Sequence, residues 1–485
     1  MENRGVPPGP YRATKLWNEV TTSFRAGMPL RKHRQHFKKY GNCFTAGEAV
    51  DWLYDLLRNN SNFGPEVTRQ QTIQLLRKFL KNHVIEDIKG RWGSENVDDN
   101  NQLFRFPATS PLKTPPRRHP ELRRNNIENF SKDRDSIFKL RNLSRRTPKK
   151  HGLHLSQEKA EKIKHEIINE DQENAADNRE LSQEDVEEVW KYVILIYLQT
   201  ILGVPSLEEV INPKQVIPQY IMYNMANTSK HGVVILQNKS DDLPHWVLSA
   251  MKCLANWPRS NDMNNPTYVG FERDVFRTIA DYFLDLPEPL LTFEYYELFV
   301  NILGLLQPHL ERVAIDALQL CCLLLPPPNR RKLQLLMRMI SRMSQNVDMP
   351  KLHDAMGTRS LMIHTFSRCV LCCAEEVDLD ELLAGRLVSF LMDHHQEILQ
   401  VPSYLQTAVE KHLDYLKKGH IENPGDGLFA PLPTYSYCKQ ISAQEFDEQK
   451  VSTSQAAIAE LLENIIKNRS LPLKEKRKKL KQVRE

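Results

Sequence analysis

Leu16, Val20 and Phe24 recur every four residues, which places them on one face of a first helix. Thr45 followed by Glu48 makes a capping box, and it opens a second helix through Ala49, Val50, Trp52, Leu53 and Leu56. Thr68 with Gln71 repeats the device for a third helix, with Ile73, Leu76, Phe79 and Leu80 inward. Two short apolar runs, Val84 to Ile88 and Leu103 to Phe106, flank a stretch rich in Gly, Asn and Asp. That spacing predicts a small hairpin. Residues 16–108 therefore read as three helices with a β appendage.

From Ser182 to Leu399 the pattern is almost wholly helical. Ser182 and Asp185 cap a helix whose apolar positions are Val186, Val189, Val193, Ile196 and Tyr197. Phe276, Ile279, Ala280 and Phe283 line another, ended by Pro287 and Pro289. Leu333, Leu336, Met337, Ile340 and Met343 line a further one, entered through Pro326-Pro327-Pro328-Asn329. Such stripes are core, and their methionines are packing rather than ligand groups. The fold class is mainly α, with an all-α unit over 181–400. In a C-terminal extension over 401–485, Ile458, Leu461, Leu462, Ile465 and Ile466 form the apolar face of a helix predicted over 455–482. It runs into Lys474-Glu475-Lys476-Arg477-Lys478-Lys479-Leu480-Lys481, which suits an acidic partner or a membrane surface, or else is a solvated helix end. The chain stops inside this basic run, as a natural isoform or a shortened form of a longer protein would.

Charge changes the picture between the two units. The net charge of +5 conceals 13 Lys/Arg against 4 Asp/Glu from Lys113 to Lys150, then 12 Asp/Glu against 4 Lys/Arg from Glu158 to Glu188. Few apolar residues offset the chain entropy there, so 109–180 reads as a disordered linker, basic then acidic. Its Ser110-Pro111-Leu112-Lys113, Thr114-Pro115-Pro116-Arg117 and Thr147-Pro148-Lys149-Lys150 resemble cyclin-dependent kinase sites. Ser110, Thr114 and Thr147 are the expected phosphorylation sites. Arg145, Arg146, Lys149 and Lys150 form a candidate nuclear-import signal, which a phosphate at Thr147 would weaken by adding about −1.5 to −2 charges.

With 485 residues, the chain has no stretch near the roughly 20 apolar residues of a membrane span, and its start lacks an apolar signal segment. The expected location is nucleus and cytoplasm, with a peripheral membrane fraction. Eight cysteines in apolar, helix-like surroundings read as reduced thiols. Cys369 and Cys372 have no second Cys or His pair at zinc-site spacing, so no metal is expected. Neither a cofactor nor a small-molecule substrate is expected.

Two segments carry family resemblances. Asn42-Cys43-Phe44-Thr45-Ala46-Gly47-Glu48-Ala49-Val50-Asp51-Trp52-Leu53, with the closing Leu103-Phe104-Arg105-Phe106, resembles a DEP domain, which has a winged-helix-like fold. DEP domains dock membranes and receptors and are not enzymes. The resemblance places Arg31, Lys32, Arg34, Lys38 and Lys39 in a projecting arm, facing anionic lipid, an acidic receptor tail, or solvent. Nucleic acid ranks lower, because no aromatic platform accompanies these charges.

Asp281-Tyr282-Phe283-Leu284-Asp285-Leu286-Pro287-Glu288-Pro289-Leu290, with Leu325-Pro326, Asn329 and the helix after it, resembles the RhoGAP domain. That family supplies an arginine to the GTPase from a Gly-x-x-Arg-x-x-Gly loop, an effect worth about 10³ to 10⁵ in rate. The nearest match is Gly232-Val233-Val234-Ile235-Leu236-Gln237-Asn238, with Ile235 at the finger position. No arginine occurs between Lys214 and Trp257, and the lysines there, Lys230 and Lys239 among them, lack the guanidinium fork. Further family polar positions fall on Ala280, Leu284 and Leu361, while the closing motif's proline and last asparagine fall on Arg368 and Cys369. Arg330 and Arg331 are candidates for a displaced finger.

The expectation is a signalling scaffold that regulates Rho-family GTPase pathways and cell proliferation, with no catalysis at its RhoGAP-like unit. Two alternatives stand beside it: an active GTPase-activating protein, and a nuclear transcriptional co-regulator. Expected partners are Rho-family GTPases or their regulators, an anionic membrane or receptor tail at the DEP unit, and a nuclear transcription factor.

Overall fold

Helix α1, Arg12–Gly27, buries Leu16, Trp17, Val20 and Phe24 along one face. In this computed structural model the described residues are 6–35, 37–109, 112–114, 181–258, 268–375 and 378–417, with 459, 463, 467, 475 and 476 beyond them. Most of the expected linker and of the C-terminal extension lies outside them, and so do Ser110, Arg145, Arg146, Thr147, Lys149 and Lys150. Of the helix expected over 455–482, Ala459, Glu463, Lys467, Glu475 and Lys476 are described, all in helical conformation.

Strands β1, Arg31–Gln35, and β2, Lys38–Thr45, pair antiparallel with Gln35 opposite Lys38. Thr45 ends β2 and caps α2, Ala46–Asn59: its Oγ1 accepts from the Glu48 N–H at 3.1 Å, while its own N–H donates to Glu48 Oε2 at 2.8 Å. Thr68 and Gln71 make the same box at α3, Arg69–Lys81. Strands β3, Glu86–Asp87, and β4, Leu103–Arg105, complete a sheet of order β1-β2-β4-β3. The sheet is thus larger than the hairpin read from the pattern. β1 and most of β2 are exposed or half-exposed, so they lack the alternation that announces a strand. Phe24 anchors this core, with the rings of Phe44, Phe79 and Phe106 at 5.8, 5.5 and 5.2 Å.

The second unit is all α. Its helices are α4 Gln183–Leu202, α5 Pro218–Ala226, α6 His245–Ala255, α7 Phe271–Leu284, α8 Tyr296–Ile302, α9 Glu311–Leu324, α10 Pro327–Gln345, α11 Thr358–Val370, α12 Asp380–Ile398 and α13 Ser403–Lys417. Ser182 and Asp185 form the third capping box. The buried face of α4 is Val189, Val193, Ile194, Leu198 and Leu202, and Ile196 and Tyr197 are only half-buried. The expected stripe is rotated because α13, beyond residue 400, covers a second side, bringing His412 within 5.6 Å of the Tyr192 ring.

The Leu286 to Phe293 phrase is a junction. Pro287 and Pro289 stop α7, and the N–H groups of Leu290 and Leu291 then donate to the Cys369 and Val370 carbonyls at the end of α11, at 2.8 and 3.1 Å. Asn329 Nδ2, in the first turn of α10, donates to the Leu290 carbonyl at 3.2 Å. This signature therefore holds three helices together.

The two units are docked on each other. Arg12 Nη1 donates to the Val300 carbonyl at 2.9 Å, and Nη2 to Asn62 Oδ1 at 2.6 Å. The Gly9 N–H donates to Asn301 Oδ1 at 2.7 Å, and Asn301 Nδ2 returns a bond to the Gly9 carbonyl at 3.0 Å. Arg359 bridges Glu66 and Asp393 at 3.0 and 2.8 Å. Gly64, at φ +76°, lies under Arg386, where a Cβ would stand 2.7 Å from the guanidinium. Lys113, in the segment whose composition reads as linker, exchanges two 2.8 Å hydrogen bonds with Asn18, pairs with Asp378, and lies 4.5 Å above the Trp17 ring.

Candidate functional site

Loop 227–238, after α5, is a short, tightly bonded turn. The Ser229 N–H donates to the Val233 carbonyl at 2.8 Å, the Gly232 N–H to Ser229 at 2.9 Å, and the Ile235 N–H to Asn227 at 2.8 Å. Gly232 has φ +75°, and a Cβ there would meet the Leu399 carbonyl oxygen at 2.9 Å, so both conformation and space require glycine. Tyr223 Oη donates to the Ile235 carbonyl at 2.9 Å and accepts from the Gln237 N–H at 3.1 Å. With its backbone held from both sides, Ile235 projects into solvent, 61% exposed.

Both displaced-finger candidates brace this loop from behind. Arg331 makes a two-pronged pair with Asp242 at 2.7 and 2.9 Å and donates its third bond to the Val234 carbonyl at 2.8 Å. Arg330 is fully buried, with Nη1 on Thr228 Oγ1 at 2.5 Å and Nη2 on the Leu399 carbonyl at 2.7 Å. Burial lowers its pKa to about 10, with Cys322 opposing, so it remains a cation at neutral pH. Neither guanidinium projects from the loop.

The neighbouring surface is apolar and acidic. A hollow of about 370 Å³ between α6 and α7 is lined by Trp246, Tyr282, Leu286, Thr278, Asp281 and Asp285. Trp246 is 49% exposed and stands edge-on to Tyr282 at 5.8 Å. Burial, then the charge of Asp242, raises the Tyr282 pKa. Burial lowers that of Lys332, against the opposing effect of Asp241, Asp242 and Glu288. Of the family's polar positions, Ala280 and Leu361 are buried and Leu284 is exposed. Such a surface can hold an apolar side chain, but its carboxylates oppose the negative charge that builds up on a transferring phosphoryl group.

The DEP arm places all five expected cations together. Arg31, Lys32, Arg34, Lys38 and Lys39 are exposed along β1 and β2, although Arg31 lies 3.5 Å from Glu48. The sequence reading missed Phe37, which sits at the tip with φ 63° and 92% exposure, its ring 5.9 Å from the Arg34 guanidinium. A lone aromatic between cations was the available signal. The Arg331–Asp242 clamp carried no such signal, because 89 residues separate its members. Thr114 is exposed. Among the described residues no group of His, Cys, Asp or Glu is arranged to hold a metal, and their cysteines are free thiols.

These features define a signalling protein in which a DEP module is joined to a RhoGAP-type helical domain. The description "Domain found in Dishevelled, Egl-10, and Pleckstrin (DEP)" matches residues 27–106, and "RhoGAP domain" matches 247–364, a range that begins after the Ile235 loop. Residues 454–485 match "Target of ERK kinase mpk-1 C-terminal domain". DEP domain-containing protein 1A of Homo sapiens is 61% identical over 766 aligned positions, covering 99% of this chain and 94% of that protein. The 1A protein of Mus musculus is 54% identical over the same shares, and DEP domain-containing protein 1B of Homo sapiens is 53% identical over 99% of this chain and 90% of its own. The chain belongs to the DEP domain-containing protein 1 family.

Proposed function

We propose that this protein is a signalling scaffold that holds a Rho-type GTPase, or one of its regulators, on the helical domain without accelerating GTP hydrolysis. The observation that carries this reading is Ile235, fixed in a braced loop beside an acidic, apolar hollow. Acceleration needs a guanidinium on the transferring phosphoryl group, and Arg330 and Arg331 are spent inside the fold. The exposed Ile235 and Trp246 suit contact with an apolar patch of a partner. Single-turnover hydrolysis by Rho, Rac and Cdc42-type GTPases, with the full chain in excess, is expected to run at the intrinsic rate. An acceleration of about a hundredfold or more, within reach of a true finger, would overturn the reading.

The DEP arm supplies the second attachment, to an anionic membrane. Lys32, Arg34, Lys38 and Lys39 surround Phe37, so cations meet headgroups while the ring enters the interface. At about 1 kcal/mol for each cation near an anionic surface, Lys32→Glu, Arg34→Glu and Lys38→Glu together remove most vesicle retention and its salt dependence. Retention of this triple variant equal to wild type on phosphatidylserine vesicles at low salt would leave the arm as a solvated face.

A further inference from the structure

Residues 230 and 231 of the same loop line a larger cleft of about 810 Å³, between the Lys230–His231 turn, α9, α10 and the end of α12. Its rim and its floor differ in kind. The rim carries the exposed Lys230, Arg312, Arg338 and Arg342, against one carboxylate, Glu397. Arg312 is already shared between Glu397 and Asp316, at 2.9 and 2.8 Å. Arg342 donates to the neutral Asn256 Oδ1 at 3.0 Å, and among the described residues no carboxylate pairs with Arg338 or Lys230. The cleft is therefore cationic at its edge, where Arg338, Arg342 and Lys230 have no carboxylate partner among the described residues.

The floor is uncharged and rich in acceptors. Gln319, Gln334, Ser341 and His395 are buried there. The side-chain N–H₂ of Gln334 donates to the His231 carbonyl and that of Gln319 to the Glu397 carbonyl, both at 3.2 Å, which fixes the orientation of each amide. Gln334 is 4% exposed, and its Oε1 is buried with no donor from the protein. A buried acceptor left unpaired costs about 1–3 kcal/mol. His395 Nδ1 lies 3.1 Å from the Met392 carbonyl, which can only accept, so Nδ1 carries the proton and Nε2 is an acceptor. Burial, with Arg338 and Arg342 near, lowers the His395 pKa and favours this neutral form.

A ligand matching this cleft bears hydroxyl donors at its centre and anionic groups at its edge. We propose that the cleft binds a phosphorylated polyol of the inositol phosphate type, with phosphates on Arg338, Arg342 and Lys230 and ring hydroxyls donating to Gln334 Oε1 and His395 Nε2. The volume lies in the range of small-molecule sites. An acidic peptide would satisfy the rim but has fewer donors for the floor. The same headgroup can be free or part of a lipid.

The test uses the full chain and two probes, soluble inositol 1,4,5-trisphosphate, which keeps three free ring hydroxyls, by calorimetry and phosphatidylcholine vesicles carrying phosphatidylinositol bisphosphate. Inositol 1,4,5-trisphosphate is expected to bind one to one, and Arg338→Ala with Arg342→Ala to weaken it at least about tenfold, since each charge-assisted contact contributes on the order of 1.5–3 kcal/mol. Both arginines are exposed, so the variant folds, and its unfolding midpoint checks this. The Lys32, Arg34 and Lys38 arm variant keeps wild-type affinity for the soluble probe. Vesicle retention lost in the cleft variant assigns the lipid source, and soluble binding without it assigns the free phosphate. Absence of saturable binding, equal binding by the cleft variant, or equally tight binding of an oligoglutamate peptide would overturn the proposal, the last in favour of an acidic protein partner.

Discussion

Full-length protein carrying Ile235→Arg is expected to raise the GTP hydrolysis rate of a Rho-type GTPase by less than about tenfold, against the 10³ to 10⁵ of a working finger. Position 235 is exposed and its backbone is fixed by Asn227 and Tyr223, so an arginine there folds without strain. What it meets is unfavourable. Asp241 lies in the segment just beyond it, so a carboxylate competes with the phosphoryl group for the new guanidinium. Ala280, Leu284 and Leu361, at positions where the RhoGAP family is polar, offer no donor to align the GTPase. Rate enhancement depends on holding reacting groups within a fraction of an ångström, which one added side chain does not provide. Single-turnover assays with wild type and variant side by side decide the matter. Full finger-like acceleration by the single variant would mean that the positioning surface is intact and only the arginine is missing.

How much of this was legible in the sequence depended on whether the signal was local. Three capping boxes, at Thr45, Thr68 and Ser182, are built from residues three apart, and each forms as read. The stripe of α7 was equally plain, because one side of that helix does all the packing; on α10 the expected stripe is buried too, but so are Gln334, Met339 and Ser341 beside it. β1 left no mark in the hydrophobic pattern, because a solvated hairpin has no buried face to impose a period, and only the DEP resemblance pointed to a hairpin arm there. The interface between the units escaped for another reason: Arg12 and Val300, or Glu66 and Arg359, are nearly 300 residues apart, and polar contacts carry no periodicity. In the candidate site, that the segment from Lys214 to Trp257 offers no arginine was readable directly from the sequence. That Arg330 and Arg331 are braces rests on Leu399 and Asp242, which only the folded chain brings to them.

Arg12→Ala is expected to lower the unfolding free energy by about 3–5 kcal/mol, a large share of the 5–15 kcal/mol that holds an ordinary domain. The side chain is 2% exposed and joins the two units at one point, with one nitrogen on the Val300 carbonyl of α8 and another on Asn62 after α2. Burial lowers its pKa to about 10, with Glu19 pulling the other way, so the group is charged at neutral pH and both bonds are charge-assisted. Alanine leaves Asn62 Oδ1 and the Val300 carbonyl without these donors, and a void beside Gly304, where even an added Cβ would come within 2.9 Å of the guanidinium. Arg12→Met keeps most of the volume and none of the bonds, so its loss falls between alanine and wild type. Urea unfolding followed by fluorescence of variants that keep a single tryptophan of the six, Trp17 in α1 for one unit or Trp190 in α4 for the other, separates the possible outcomes. The two units are expected to unfold together in wild type and, in the alanine variant, the DEP unit to unfold at lower urea than the helical unit. A single unshifted transition in Arg12→Ala would show that the docking owes nothing to this arginine, and would leave the Arg359 and Asp378 contacts to account for it.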